Sequence, residues 1–395
     1  MSTLAAPALP RPREVLGEFG IYVHVPFCSH RCGYCDFNAY AGLDEAIPSY
    51  MEALALDART AASSPVPIDE RPVVTSIFVG GGTPSLVPAA SLAAVLHAIR
   101  ETWPVAPDCE ITCEANPESA TPELLRAWRE AGVNRVSFGV QSLDDRLLGA
   151  LGRVHDAATA VSALLSAMEV FDRVSADLIL GIPGEDDETW EAGVRALVGL
   201  GLRHLSCYGL TYEEGTPLHS WKRLGKVVPV PDDDVARRWE TADEVLSRAG
   251  LGRYEISNWA VPGEHSRHND LYWRCGEYLG IGAGAHSHLD GVRSWTVKGP
   301  DRYARGVREG TSVAGSETID AAGRATEVMF CGLRRSDGVS ADAFRSLTGV
   351  DLEASFRPEL DRCAAAGLLE WDGSRARLTR RGTLLANEVL TAFLG

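Results

Sequence analysis

From residue 20 onward, short apolar runs with strand-like alternation trade places with stretches whose apolar residues recur every three or four positions. Ile21–Val25 predicts a first strand, and the segment from Ser49 to Ala61 a helix. Val74–Val79 predicts a second strand running into Gly80-Gly81-Gly82-Thr83-Pro84. Ala89–Thr102 follows with Leu92, Val95, Leu96 and Ile99 on one helical stripe. Glu110–Glu114 predicts a third strand. Thr121-Pro122-Glu123 opens a helix with a capping hydroxyl and proline in its first turn, and Gly132 ends it. The same alternation gives strands at Arg135–Val140, Ser175–Leu180 and Leu205–Leu210, and helices at Ala157–Val170, Glu188–Leu200 and Asp232–Ala249. The last of these starts acidic, as its dipole favours, and has Gly250 beyond its end. Six β-α units in series demand parallel strands with right-handed crossovers, in either a barrel or a doubly wound sheet.

From about Ser316 the texture changes. Helices are predicted at Ala325–Leu333, Ala341–Ser346 and Leu352–Ala366. A hairpin of Leu368–Trp371 and Ala376–Leu378 turns at Asp372-Gly373, and a final helix covers Thr383–Phe393. Helices followed by a hairpin resemble a winged helix, and Arg375, Arg377, Arg380 and Arg381 would decorate its wing. Residues 316–395 nevertheless hold 10 Arg against 12 Asp or Glu, so a solvated face is favoured over a nucleic-acid contact.

At 395 residues the chain suits one large domain and a smaller one. Its formal net charge of −16 argues against broad nucleic-acid or anionic-membrane binding. Nine cysteines without regular pairing intervals suit a reducing cytosol, and no window approaches 18 uninterrupted apolar residues. Met1 to Gly20 lacks an apolar core and reads as a flexible tail, not a signal peptide. The expected location is the cytoplasm.

Chemistry concentrates first in Cys28-Ser29-His30-Arg31-Cys32-Gly33-Tyr34-Cys35. Gaps of three and two residues in one loop suit an iron–sulfur cube held at three irons, with the fourth open to a ligand. A zinc loop using His30 is the alternative, but no second Cys or His pair follows at short spacing. Cys109 and Cys113 alternate with Ile111 as small core residues on one strand face. The triple glycine lacks the GxxxxGK[ST] of a phosphate loop, but lets the backbone approach a ligand closely. Glu114, Gln141 and Asp177 fall in or at the ends of strands three, four and five, and Arg153 follows strand four by twelve residues. A carboxylate inside such a strand needs a partner or a ligand. Structural polar groups and a binding site both remain open readings for these residues.

Tyr22-Val23-His24-Val25-Pro26-Phe27-Cys28, the cysteine triplet, GGGTP, Glu114, Gln141, Arg153 and Asp177 together resemble the coproporphyrinogen III oxidase-like branch of the radical S-adenosylmethionine (radical SAM) proteins. The resemblance covers nearly the whole chain. It implies an α/β fold: a partial (β/α)6 radical SAM barrel over 20–255 with a winged-helix-like module at 316–395, a tail at 1–19 and a connecting region at 256–315. It implies a [4Fe–4S] cluster on Cys28, Cys32 and Cys35. S-adenosylmethionine would be bound by Tyr22, Tyr34, Gly81, Gly82, Thr83, Glu114, Gln141, Arg153 and Asp177. The implied chemistry is one-electron transfer from cluster to sulfonium.

Within that branch the oxidases carry another cysteine two positions after the third, where this chain has Phe37. The heme-chaperone members have Asp-Phe there, as Asp36-Phe37 does, and an HNxxYW motif, matched by His268-Asn269-Asp270-Leu271-Tyr272-Trp273. The resemblance therefore implies heme as ligand and recipient hemoproteins as partners, with no nucleic acid and no transmembrane segment. His268, Asn269, Tyr272 and Trp273 are the expected heme-binding residues. A neutral imidazole is a common axial ligand and the aromatic pair offers flat apolar contact. His265, His286 and His288 compete for the ligand role. The alternatives are an oxygen-independent coproporphyrinogen III oxidase and an enzyme acting on RNA.

Overall fold

A computed structural model describes residues 18–60 and 68–394. The expected tail lies outside the described residues up to position 17, as does Ala61 of the first predicted helix. Six parallel strands follow in chain and spatial order: β1 (Phe19–Val25), β2 (Val74–Gly81), β3 (Val105–Ala115), β4 (Arg135–Gln141), β5 (Arg173–Leu180) and β6 (His204–Gly209). Helices on one side join them: α1 (Ile47–Thr60), α2 (Ala89–Thr102), α3 (Pro122–Ala131), α4 (Asp145–Leu151), α5 (Ala157–Met168) and α6 (Asp187–Gly199). Among the described residues the two ends of this curved sheet do not pair. Beyond β6 come the antiparallel β8 (Asn258–Ala260) and β7 (Gly252–Glu255). Beyond β1 lie the parallel β9 (Glu277–Ile281) and the antiparallel β10 (His286–Leu289), β11 (Val292–Thr296) and β12 (Val313–Thr318). The barrel is thus open, as expected.

Strand alternation explains the two faces. Outward residues such as Val23, Ile77, Val79, Ile111, Cys113, Val136 and Phe138 are buried against Leu54, Leu92, Leu96, Ile99, Leu125 and Trp128 of the helices. Each aliphatic side chain so buried contributes about 1.5–3 kcal/mol. Inward residues are polar: Tyr22, Ser76, Glu110, Thr112, Glu114, Arg135, Ser137, Ser175 and Asp177. Thr121 caps α3 by accepting from the Leu124 N–H, and Gly132 closes it at φ +98°, both as predicted.

Among the helices that escaped the pattern are α4 and α7 (Pro217–Arg223), each only 7 residues long. Periodicity needs a longer window than that. After α8 (Asp232–Arg248) comes α9 (Arg267–Trp273), then α10 (Pro300–Glu309). The C-terminal part has α11 (Ala321–Gly332), α12 (Ala341–Thr348), α13 (Leu352–Ala365) and the strands β13 (Val339–Ser340), β14 (Leu369–Trp371) and β15 (Arg375–Leu378). It has its own core around Met329, Phe344, Leu360 and Phe393. The predicted final helix is two, Arg380–Leu384 and Ala386–Thr391, because Leu385 leaves helical geometry at φ −107°, ψ 30°. On the hairpin, Arg377 pairs with Glu370 at 2.7 Å, and Arg380 reaches Glu240 and Glu244 of α8.

Candidate functional site: a cysteine-lined cleft at the strand C-termini

The cysteine loop leaves the C-terminal end of β1 and is fixed by backbone bonds. Gly82 N–H donates to Val25 O (2.8 Å), Thr83 N–H to Phe27 O (2.7 Å), and Gly33 N–H to Leu151 O (3.1 Å). The GGGTP turn can lie this close only without side chains. A Cβ on Gly82 would sit 2.5 Å from Phe27 O, and one on Gly80 would sit 2.7 Å from Glu114 Oε2. Thr83 Oγ1 donates towards Cys28 Sγ (3.6 Å), and Arg153 Nη1 towards Cys32 Sγ (3.5 Å).

One cleft gathers Cys28, Cys32, Cys35, Tyr34, Gly81, Gly82, Thr83, Glu114, Gln141, Arg153 and Asp177. Of the residues expected to bind S-adenosylmethionine, only Tyr22 stands apart from its lining. Its hydroxyl donates to His24 Nδ1 (2.8 Å) inside the barrel. His24 Nε2 meets the carbonyl of Asn38 at 3.0 Å, so Nε2 carries the proton and Nδ1 accepts.

Gly81 N–H donates to Glu114 Oε2 (3.0 Å). Burial, with Asp177 nearby, pushes the Glu114 carboxyl up to about 7. Burial also raises Asp177, although Ser137 Oγ donates to it at 3.3 Å. Two inward carboxyls side by side invite a cationic ligand. Arg153 is anchored by Asn116 Oδ1 (2.8 Å) and Gly139 O (3.0 Å), while its buried Nε has no hydrogen-bond partner among the described residues. Gln141 is held at φ 66°, a left-handed conformation rare for a residue with a side chain, where β4 breaks register.

The donor set fits an iron–sulfur group. Three thiols face one cleft without gathering tightly enough, among the described residues, to hold a single ion. Burial raises the Cys28 and Cys35 thiols, a cost that metal ligation of the thiolates removes. Such a group would supply one-electron chemistry to a ligand in the cleft. Sequence reasoning missed Asn116, Ser137 and Gly139, which also line it. Asn116 bridges Thr83 Oγ1 (3.2 Å) and Arg153, and its position two residues past Glu114, just beyond β3 and on the same face by parity, was the available signal.

The HNxxYW residues lie elsewhere. α9 closes the opposite end of the barrel, where a Cβ on Gly20 would touch His268. His268 is 0% exposed and stacks on Phe78 at 5.4 Å. Its Nδ1 bonds Ser76 Oγ (2.9 Å) and its Nε2 bonds Tyr272 Oη (2.9 Å). Burial lowers the imidazole to about 4. The ring is therefore neutral, as a ligand must be, but both nitrogens are taken in this conformation. The N–H groups of Arg267 and His268 donate to Glu110, Asn269 N–H to Ser266 Oγ, and Trp273 lies under the Arg334 guanidinium. His265 stacks on Tyr254 at 4.2 Å, His286 on Trp295 at 5.8 Å, and His288 meets Arg324.

Known proteins share this architecture. The radical SAM superfamily model matches residues 22–197, and the HemN C-terminal domain model matches 319–385. The chain is 41% identical to the heme chaperone HemW of Mycobacterium tuberculosis, over 95% of each chain. It is 35% identical to the heme chaperone HemW of Bacillus subtilis, over 95% of this chain and 98% of that one. The solved structure of coproporphyrinogen III oxidase (HemN) from Escherichia coli superposes with a TM-score of 0.82 at 20% identity, covering 97% and 90% of the two chains, and confirms the fold. With identity of this order running end to end, and the cysteine cleft at the mouth of an open barrel, the chain belongs to the HemW family of radical SAM proteins.

Proposed function

We propose that this protein is a heme chaperone that holds a [4Fe–4S] cluster on Cys28, Cys32 and Cys35, binds S-adenosylmethionine in the adjoining cleft, and carries heme to recipient hemoproteins. The observation that carries the reading is identity of 31–41% over 94–96% of the chain to five bacterial proteins named heme chaperone HemW. Phe37, where the oxidases of the wider branch have cysteine, agrees with it. In the cleft, Glu114 and Asp177 offer acceptors for the ammonium and hydroxyl groups of S-adenosylmethionine, and Gln141 an amide. Arg153, held by Asn116 and Gly139, directs a guanidinium at the ligand's carboxylate. Bound there, the cluster supplies one-electron reduction of the sulfonium.

Hemin titration of the anaerobically reconstituted protein tests this function. A saturable Soret band is expected, followed by loss of that band to an apo-hemoprotein. Incubation with coproporphyrinogen III, dithionite and S-adenosylmethionine is expected to form no protoporphyrinogen. Product in that assay, or no saturable hemin binding, refutes the proposal.

A further inference from the structure

His268 is closed off inside the barrel floor, which leaves a flat, dianionic iron macrocycle to another part of the surface. The lip of the cysteine cleft has the required features. Gly33 and Gly152 meet there with no side chains between them: a Cβ on Gly152 would lie 3.5 Å from Gly33 N. The same Cβ would be 3.7 Å from His30 Nε2, and a Cβ on Gly33 would be 3.5 Å from the Trp221 ring. The Trp221 ring therefore lies against Gly33 and the His30 imidazole against Gly152, side by side on this lip.

α7 is anchored to the loop by the Leu218 N–H to Gly33 O bond (2.9 Å), and the chain beyond it folds back so that Lys226 N–H donates to Trp221 O (2.9 Å). This strap leaves large apolar side chains in solvent: Trp221 is 39% exposed, Leu224 64% and Val228 78%, with Phe37 64% exposed on the other flank of the loop. Exposed apolar residues grouped around a cleft mark a contact surface, whereas scattered ones do not. Residues 215–231 hold Lys222, Arg223 and Lys226 and no carboxylate, within a chain of net charge −16. Among the described residues these three and Arg31 have no ion-pair partner, though most arginines here do. Asp36 beside Phe37 is the carboxylate of the opposite flank. His30 is exposed, lines the cleft and has no hydrogen bond among the described residues.

We infer that heme seats on this lip. The exposed Trp221 ring takes the porphyrin face, His30 offers its imidazole to the iron, and Arg31, Lys222 and Arg223 receive the propionates. The inference rests on the heme-chaperone reading and adds the location and chemistry of the seat. Flat aromatic contact, an imidazole ligand and charge-assisted bonds to carboxylates are the interactions such a ligand needs.

The test uses the reconstituted full-length holoprotein titrated with hemin, following the Soret band and the low-spin heme EPR signal. Iron, sulfide and S-adenosylmethionine binding are measured in parallel as controls. His30→Ala is expected to change the axial-ligand spectrum. Trp221→Ala and the charge reversal Lys222→Glu/Arg223→Glu, both off the cysteine loop, are each expected to raise Kd tenfold or more, about 1.4 kcal/mol. The iron complex of protoporphyrin dimethyl ester should bind wild type and the charge-reversed variant alike. Wild-type affinity and spectrum in both Trp221→Ala and the charge-reversed variant, with loss only in His268→Ala, would overturn the seat and leave the chaperone reading intact. Failure of the wild type to bind hemin at all would instead remove the chaperone reading.

Discussion

Glu114 links the sequence to the chemistry of the cleft most directly. It faces inward by strand parity, sits against Gly80, and accepts from Gly81 N–H, yet burial holds its carboxyl up to about 7. A carboxyl raised above its unfolded value of 4.5 works against folding as pH rises. The unfolded chain ionises from about 4.5, the native one only near 7, so stability conferred below 4.5 is lost through that window. A cationic ligand reverses the preference by pairing with the ionised form. S-adenosylmethionine affinity, measured by calorimetry on the reconstituted protein, is therefore expected to rise between pH 6 and 8. Glu114→Gln should flatten that rise and weaken binding at pH 8 about ten- to hundredfold, the ~1.5–3 kcal/mol of a hydrogen bond to a charged group. Arg153 gives a second test. Its fork holds Asn116, Gly139 O and Cys32 at once. A lysine ammonium cannot reproduce that geometry, so Arg153→Lys is expected to weaken S-adenosylmethionine about tenfold while leaving cluster iron content near wild type. Equal affinity in the variant would remove Arg153 from the ligand's contacts.

Among the elements, α9 behaves as a floor. Its first N–H groups sit on the Glu110 carboxylate, His268 bridges Ser76 and Tyr272, and Leu271 packs where β1 has Gly20. His268→Ala removes two buried hydrogen bonds and a ring stacked on Phe78, which leaves a cavity and an unpaired Ser76 hydroxyl. A loss of about 3 kcal/mol is expected in urea unfolding, and a destabilisation below 1 kcal/mol would mean that α9 is not held through this ring. The sequence made the barrel readable because its strands have two faces, one aliphatic and one polar. That alternation, with Thr121 and Gly132 at helix ends, survives in a single chain. The cleft was readable for the same reason: Glu114 and Asp177 are inward by parity and the cysteines follow the first strand. Three things were not readable. α4 and α7 are too short to display a period. Asn116 shares the inward parity of Glu114 but lies past the predicted end of the third strand. A histidine motif looks the same whether its ring faces solvent or plugs a barrel, and only the neighbouring Gly20 and Ser76, far away in sequence, decide between them.

At the scale of the molecule, the barrel and the C-terminal helices are joined across α9. Arg335 bonds Asp270 Oδ1 of α9 at 2.9 Å and bridges the backbone of Glu255, while Arg324 donates to Cys275 O at 2.8 Å. Cys275, just past α9, belongs to the core of the C-terminal part and not to that of the barrel. Arg293 of β11 pairs with Glu327 of α11 on the outer edge. These ties are ion pairs and hydrogen bonds made chiefly by arginines, whereas each core is apolar and separate. Cooperativity between the two parts therefore rests on a few half-buried pairs. Pairs of this kind are worth more than surface ones, because removing one partner leaves the other charge poorly solvated. Calorimetry of the wild type is expected to give one unfolding transition. In the Arg324→Ala/Arg335→Ala variant the C-terminal core should unfold first and the barrel later, giving two transitions, with the earlier one lower by several degrees. The floor helix loses its outer clamp in that variant, so amide exchange across Arg267–Trp273 should quicken while β2 and β3 stay protected. A single transition at the wild-type temperature would mean that apolar contact around Cys275, and not the arginine pairs, couples the two parts.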